Sequence, residues 1–295
     1  MIFINPLDAF LWSIRRNQKD VIRLYDTLAP LMRITSDGSN MLNFGYWTNE
    51  IKNPIDAQVN LCKLTGKIAE LESAKKLLDA GSGFSSPSIL WKQYYPSLKI
   101  FGINTSFTQH LIAKELKTSD LKLPKKYSKD IRLINSTSTK MPFVKESVDR
   151  IISLESAQHF KPLTHFIRES KFVLKSGGLM VIVIPVITKS LKYIESLVKL
   201  GILSFTWASE HYLISNVLSL LEGRGFKLLD IINIGEYVYC PLKEYYVNNR
   251  QKLKEIVSNK YNPILEYILY KSILKMDILS KEHLIDYSII KIKKL

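Results

Sequence analysis

The feature that most restricts the fold is a nearly unbroken apolar run from Leu179 to Ile187. It is far shorter than the roughly 20 residues that a membrane-spanning helix needs. Such a run without polar alternation is typical of a strand buried on both faces of a parallel sheet. A predicted helix over residues 163–174 precedes it and is ended by Lys175-Ser176-Gly177-Gly178. A helix followed by a fully buried strand indicates an α/β protein.

The same rhythm of strand and helix extends over most of the chain. Hydrophobic patterning predicts strands at 75–80, 98–104, 131–135, 150–154, 179–187 and 226–234, with a closing edge strand at 287–294. Helices are predicted at 8–34, 53–71, 107–116, 163–174, 189–200, 213–222, 242–257 and 263–279. This alternation predicts a doubly wound, seven-stranded, mostly parallel Rossmann-like sheet with N-terminal helices and a helical lid.

The predicted elements divide the chain into two parts. Residues 1–72 form an N-terminal helical segment, and residues 73–295 form the sheet domain. Two helical insertions, at about 188–210 and 237–283, interrupt the sheet pattern and are interpreted as a lid. Both follow the carboxyl ends of strands, which is where open α/β sheets bind their ligands.

A glycine-rich turn follows the first strand, in the segment Leu77-Leu78-Asp79-Ala80-Gly81-Ser82-Gly83-Phe84-Ser85. Gly81 and Gly83 allow a tight turn and a close approach of the backbone to a ligand. A dinucleotide fingerprint would need glycine at Ser86, and no phosphate-binding helix is evident after the turn. Asp79 suits a ligand that bears an ammonium group better than a diphosphate. A purely structural turn is the alternative interpretation.

Further polar segments follow the next strands in order. The second strand ends at Asn104-Thr105, about twenty residues beyond the glycines, within reach of a ribose hydroxyl. A Ser-Thr-Ser-Thr segment begins at residue 136, and Glu155-Ser156-Ala157-Gln158-His159 follows the fourth strand.

Taken in order, these segments resemble the class I S-adenosylmethionine-dependent methyltransferases. The similarity is greatest to the branch that includes ubiquinone/menaquinone, sterol, tocopherol and sugar O-methyltransferases. It covers most of the chain, and it includes Tyr25-Asp26 and Asn43-Phe44-Gly45-Tyr46-Trp47 upstream and Gly225-Phe226 downstream. The resemblance implies S-adenosylmethionine as cofactor and an N-terminal segment that closes over it.

The resemblance also implies a role for each matching residue. Asp79, Gly81, Gly83 and Glu155 would hold the methionine part, Asn104, Thr105 and Gln109 the ribose, Thr137 and Ser138 the adenine, while Tyr25, Tyr46 and Trp47 would close over the donor. Asn104 and Thr137 depart from the family pattern, which has acidic residues at both positions. These departures put donor affinity in question and leave a non-catalytic donor-binding or assembly protein as an alternative.

His159 is the candidate catalytic base, because imidazole can accept the proton of an acceptor hydroxyl near neutral pH. Glu155 would lie near the methionine group or orient His159. The alternative is that His159 only caps the next helix. No carboxylate follows the fifth strand within Ile182–Pro185, where other O-methyltransferases of this branch carry one. No paired cysteines and no His-Glu-x-x-His segment indicate a metal.

The resemblance implies an acceptor that is small or lipid-like, such as a quinone, a terpenoid, another lipid or a glycoside, methylated on oxygen or carbon. The aromatic residues of the lid could form apolar walls or could fill the core of the lid itself: Phe205, Trp207, Tyr237, Tyr239, Tyr245 and Tyr246. The lid helices also carry lysines suited to peripheral contact with a membrane or to a solvated helix face: Lys243, Lys252, Lys254, Lys260, Lys271 and Lys275.

The net charge of +15 favours an anionic partner, or reflects lysines dispersed over the surface. A nucleic-acid methyltransferase is disfavoured, because no Asn-Pro-Pro-Tyr or Pro-Cys catalytic motif and no added RNA-binding domain are found. Two isolated cysteines and an N-terminus unlike a signal peptide favour a cytoplasmic location. The basic lid helices add the expectation of peripheral contact with a membrane. Nothing in the pattern indicates the oligomeric state.

Overall fold

A computed structural model describes residues 15–119, 130–206 and 210–295. The start of the first predicted helix, residues 8–14, and Trp207 lie outside the described residues, as does the side chain of Phe205. The helices are α1 Gln18–Thr35, α2 Pro54–Ile68, α3 Ser86–Tyr94, α4 Phe107–Ser119, α5 Leu163–Val173, α6 Tyr193–Leu200, α7 Leu203–Thr206, α8 Ile214–Glu222, α9 Tyr239–Asn248, α10 Arg250–Ser258 and α11 Pro263–Lys281. The strands are β1 Lys76–Ala80, β2 Lys99–Asn104, β3 Ile131–Asn135, β4 Val148–Leu154, β5 Leu174–Ile187, β6 Phe226–Asn233 and β7 Ile285–Lys294.

The strands form one seven-stranded sheet in the order β3-β2-β1-β4-β5-β7-β6. Strands β1 to β5 pair in parallel, and β7 runs antiparallel to both of its neighbours. The predicted seven-stranded, mostly parallel Rossmann-like sheet is therefore confirmed. The strand order reverses between β1 and β4, so the crevice at their carboxyl ends is the expected ligand site.

The sheet is covered on both faces, and each face has its own buried apolar cluster. In β5, Val181 and Val183 face one cluster, while Ile182 and Ile184 face the other. All four side chains are fully buried. Two-sided burial explains why the sequence of this strand is apolar at successive positions, since neither face meets water.

The last strand differs from the sequence prediction. β7 is not an edge strand, because it lies between β5 and β6 and pairs with both along its length. Its side chains are buried on both faces, including those of Tyr287, Ile289 and Ile290. Pairing patterns cannot be inferred from one strand's composition, and β6 takes the edge position instead.

Several helices also differ from prediction. A nine-residue helix, α3, directly follows the glycine-rich turn, where no helix was expected. Its Ser-Pro-Ser start resembles a loop, although proline is well tolerated in a first helical turn. The helix predicted over 242–257 is divided at Asn249 into α9 and α10. The helix predicted over 189–200 begins only at Tyr193.

The N-terminal helices are fixed by side-chain caps and by contacts with the lid. Asn17 and Asp20 form a reciprocal capping box at the start of α1, and Asn53 caps α2. Leu31 of α1 packs against Val257 and Tyr261 in a small separate cluster. These contacts hold α1 across the carboxyl edge of the sheet. Within the residues described, no helix has both the length and the apolar character required to cross a membrane.

Candidate active site

A cavity opens at the carboxyl ends of β1, β2 and β4 and encloses about 1070 Å³, its open mouth included. Ten residues predicted from sequence line it: Tyr25, Asp79, Gly81, Gly83, Asn104, Thr105, Gln109, Thr137, Glu155 and His159. The fold therefore brings together residues that are up to 134 positions apart in the chain.

The glycine-rich turn forms the floor of the cavity. Gly81 has a φ of +82°, and a Cβ atom there would lie 2.4 Å from the Cβ of Ser156. Ser156 cannot easily move away, since its hydroxyl donates to the carbonyl of Ala80 and lies 2.6 Å from that of Ser153. The backbone of β1 thus packs directly against the segment after β4, and only glycine fits.

This contact predicts a measurable difference between two glycines with the same backbone conformation. Gly38 has a φ of +86° and open space around it, so Gly38→Ala should cost about 1 kcal/mol of the free energy of unfolding through φ alone. Gly81→Ala adds the steric clash and should cost roughly 1–3 kcal/mol more. Urea unfolding of both variants measures the difference. Equal destabilisation of both would contradict the close packing of Gly81 on Ser156.

Asp79, at the end of β1, is only 2% exposed and lines the cavity. The hydroxyl of Ser88, on α3, donates a hydrogen bond of 2.6 Å to its Oδ2. Desolvation raises the pKa of Asp79 to about 7, and the Ser88 hydrogen bond opposes that rise. No cationic side chain of the described residues pairs with this carboxyl group. A buried carboxylate in a cavity without a cation is suited to a ligand that brings one.

Asn104 and Gln109 form a linked pair of amides on the adjacent wall. The Nδ2 of Asn104 donates to Oε1 of Gln109 at 2.8 Å. Gln109 is 4% exposed, and its Nε2 has no hydrogen-bond acceptor among the described residues. A buried donor without a partner is costly, so this atom is suited to an oxygen of a bound ligand.

Glu155 follows β4 with a φ of +48° and extends toward the N-terminal segment and β7. Its Oε1 accepts hydrogen bonds from the backbone N–H of Phe44 at 2.7 Å and from the hydroxyl of Tyr287 at 2.5 Å. Burial raises the pKa of Glu155 to about 7 against the opposing effect of these two hydrogen bonds. Glu155 therefore joins three separate parts of the chain at the cavity wall.

His159 lies in the short helical turn Ala157–His159, and its Nε2 is 2.7 Å from the hydroxyl of Tyr25. The two rings meet edge to face, with centroids 5.2 Å apart. Burial and the nearby Glu155 carboxylate raise the pKa of Tyr25, so this phenol stays protonated. The side chain within hydrogen-bond distance of Nε2 of His159 is therefore that of Tyr25. The sequence analysis had suggested Glu155 as the residue that orients His159.

Comparison with known proteins identifies the domain that contains this cavity. Residues 78–182 match the family model described as a methyltransferase domain. Over this part of its length the chain is similar to methyltransferase domains. The resemblance proposed from the sequence is confirmed, and the matched region contains Asp79, both glycines, Asn104, Glu155 and His159.

Relatives of the methyltransferase domain include proteins named as methyltransferases. The chain is 26% identical over 172 residues to erythromycin 3''-O-methyltransferase of Saccharopolyspora erythraea, in a match that covers 58% of this chain and 54% of that relative. It is 24% identical over 220 residues to methyltransferase GfsG of Streptomyces halstedii, covering 74% and 76% of the two chains. The chain thus spans about half the length of the first relative.

The fold of the methyltransferase domain is also shared with solved structures. The [4+2]-cyclase SpnF superposes with a TM-score of 0.75 at 20% identity, covering 94% of this chain and 96% of that one. Because a protein named as a cyclase has this fold, the chemistry must be argued from the cavity rather than from the fold.

Three residues that the sequence predicted for the donor site do not line the cavity. Tyr46 packs edge to face against Tyr237, and Trp47 is buried against Tyr245. Both connect the N-terminal segment to the lid, because the neighbouring lid offers aromatic partners that the local sequence cannot reveal. Ser138 is also absent from the wall, since Thr137 and Thr139 face the cavity and the residue between them is turned away and buried.

The aromatic residues of the second lid insertion serve mainly to join the lid to the rest of the protein. Tyr237, Tyr239, Tyr245 and Tyr246 pack against aromatic partners, and none of the four lines the cavity. Of the two interpretations of these side chains, structural filling is the one that the geometry matches.

Several residues that line the cavity were missed in the sequence. Gln18, Val21 and Ile22 of α1 line the mouth together with Tyr25, at helical spacings of three and four. The helical periodicity that places Tyr25 in the cavity could have found them. Asn43, Ser106 and Phe160 also line the wall, and they are recognised only once β2, β4 and the N-terminal segment are brought together.

Proposed function

We propose that this protein is an S-adenosylmethionine-dependent methyltransferase that methylates a small or lipid-like acceptor. The observation that carries the proposal is Asp79, a buried carboxylate without a cationic partner among the described residues, beside a turn that only glycine permits. A cationic amino acid moiety satisfies this carboxylate, and a nucleoside fits the amide-lined crevice next to it.

The cavity residues fit the donor in three places. Asp79 would hold the ammonium of the methionine moiety. The unpartnered Nε2 of Gln109 and the side chain of Asn104 would bind the ribose hydroxyls, which can both accept and donate hydrogen bonds. Thr137, whose hydroxyl lies 2.9 Å from that of Thr139, would lie beside the adenine. Asn104 is a neutral replacement for an acidic ribose ligand, and it keeps an acceptor oxygen.

When bound, the donor supplies an electrophilic methyl carbon whose bond to the sulfonium sulfur breaks as the acceptor atom bonds to it. The protein's contribution is to align the two reactants and exclude water. For a hydroxyl acceptor, a proton must also leave. The Tyr25–His159 pair provides its path: Tyr25 takes the acceptor's proton at Oη while passing its own proton to Nε2 of His159. No tyrosinate accumulates, and His159 ends as the imidazolium.

The cavity mouth favours an acceptor with an apolar surface next to the reacting hydroxyl. Val21, Ile22 and Phe160 line the same cavity as Tyr25 and His159. Aliphatic and aromatic walls with a few polar groups are typical of sites for small, largely apolar molecules. One relative is named as an O-methyltransferase and another as an N-methyltransferase, so their names support transfer to a heteroatom, of which oxygen is the one we propose.

The proposal is tested by incubating the protein with a donor whose methyl group carries deuterium and with extracts containing quinones, lipids or glycosides. We expect a product whose mass increases by one labelled methyl group and which forms only with active protein, as detected by mass spectrometry. Donor binding without transfer to any extract component would instead support a non-catalytic donor-binding protein. Absence of donor binding in calorimetry would contradict both.

A further inference from the structure

Helix α6, in the first lid insertion, presents a row of apolar side chains to solvent. Ile194 and Val198 are each 74% exposed, and Leu197 is 38% exposed. Their spacing of three and four residues places them on one face of the helix. Single exposed apolar residues are common, but a row on one helical face indicates a contact surface.

The internal packing of the lid does not account for this row. Leu200 at the end of α6 and Leu203 just beyond it are each 1% exposed and belong to the main core. Leu191, just before the helix, also packs against that core. The insertion is therefore anchored by other side chains, and the outward row is not needed to hold α6 in place.

Lysines surround the apolar row. Lys189, Lys192 and Lys199 are all exposed, whereas the acidic residue of the helix, Glu195, is paired with Lys199 at 2.7 Å. Helix α11 adds a further lysine next to the end of α6. Cε of Lys275 lies 3.8 Å from the position that a Cβ atom would take at Gly201, the residue that follows α6. We name the surface formed by Lys189, Lys192, Ile194, Leu197, Val198 and Lys199 the α6 patch.

We propose that the α6 patch docks on an anionic lipid membrane. An amphipathic helix inserts its aliphatic face among the acyl chains while flanking lysines contact the headgroups. Each lysine near an anionic surface adds about 1 kcal/mol of attraction. Of the lysines that the sequence had suggested for this role, Lys243 and Lys252 have acidic partners at 3.6 Å and 3.9 Å.

The position of the α6 patch connects the membrane with the cavity. α6 follows the carboxyl end of β5, on the edge of the sheet where the cavity opens. The guanidinium of Arg16 donates to the carbonyl of Ser204 at 2.6 Å, which ties the end of this insertion to the residues just before α1. Docking through the α6 patch would thus bring the mouth formed by α1 close to the lipid surface.

The test is cosedimentation of the protein with vesicles of equimolar phosphatidylglycerol and phosphatidylcholine, compared with vesicles of phosphatidylcholine alone. The wild type should bind the anionic vesicles, and its binding should weaken as salt rises. The double variant Ile194→Ser/Val198→Ser should lower the partition constant by at least about tenfold. Lys189→Gln/Lys192→Gln should lower it by about fivefold for each lysine.

A matched control is available at the opposite edge of the sheet. Val144 and Phe172 are 75% and 48% exposed and lie near the amino end of β4, so Val144→Ser/Phe172→Ser should leave vesicle binding unchanged. Thermal unfolding verifies that each variant is folded, and the lysine variant keeps the test valid if the serine variant is not. Vesicle binding is measured without donor or acceptor, so its outcome does not depend on methyl transfer.

Two results would overturn the proposal. One is wild-type protein that sediments equally with anionic and neutral vesicles. The other is an Ile194→Ser/Val198→Ser variant that is folded and binds anionic vesicles as the wild type does, since the apolar row would then have no part in docking.

Discussion

The Asp79→Ala variant should lose binding of S-adenosylmethionine by at least about 100-fold, the cost of removing a charge-assisted contact from a buried site. Asp79 is nearly inaccessible to water, and its hydrogen bond from Ser88 leaves the charge itself without compensation. The ammonium of the donor would supply that compensation. Isothermal titration calorimetry measures the loss directly.

Asp79→Asn is the matched control for size and shape. The amide can still accept the hydrogen bond from Ser88, but it cannot pair with an ammonium group. We therefore expect Asp79→Asn to bind the donor as poorly as the alanine variant, while the ligand-free protein unfolds at the same temperature as the wild type or a higher one. Wild-type affinity in Asp79→Asn would show that the charge is not required.

The pH dependence of donor binding follows from the same carboxyl group. Because burial raises the pKa of Asp79 to about 7, the group is neutral in the free protein below that pH. Affinity should then fall about tenfold for each pH unit below it, as far as the pKa of the bound state. The free energy of unfolding of the ligand-free protein changes in the opposite direction, since the contribution of Asp79 to it falls as pH rises. The contribution of Asp79 is fully present below its ordinary pKa of 3.8 and is lost as pH rises through about 7.

The His159→Ala variant should retain donor affinity and lose about 10²–10⁴-fold in kcat, the range for removal of a general base. His159 lines the cavity with Tyr25 on its Nε2, but the groups proposed to hold the donor lie on β1, β2, α4 and the loop after β3. Single-turnover methylation, with calorimetry for donor affinity, separates the two effects.

Two further variants define the proton path. Tyr25→Phe removes the hydroxyl between the acceptor and His159, so a relay predicts a loss of kcat comparable to that of His159→Ala. His165→Ala replaces an exposed histidine on α5 and should have wild-type turnover. Full activity of His159→Ala on the true acceptor would contradict the role of His159 as general base. Full activity of Tyr25→Phe would contradict only the proton relay through Tyr25.

The sequence predicted most of the sheet and most of the cavity because both depend on local chemistry. A strand such as β5 must be apolar at successive positions when both faces are buried, and the turn after β1 needs glycines wherever Ser156 approaches it. Polar residues that end parallel strands meet at one edge, so Asp79, Asn104 and Glu155 could be grouped without a structure.

What the sequence could not reveal was the choice among distant partners. Tyr46 and Trp47 are aromatic residues near the site, but only the folded lid determines that they pack against Tyr237 and Tyr245. The position of β7 depends in the same way on two strands that pair with it from opposite sides. The apolar face of α6 was part of a predicted helix, and its exposure became evident only when Leu200 was placed in the core.

The interior position of β7 has a consequence for biosynthesis. Its residue Tyr287 donates the hydrogen bond that holds the carboxyl group of Glu155, and the strand fills the gap between β5 and β6. A nascent chain that has not yet emerged through residue 294 therefore lacks both a continuous sheet and one wall support of the cavity. The site can therefore be completed only once this strand is available, and until then β5 lacks the partner for the backbone N–H and C=O groups along that edge.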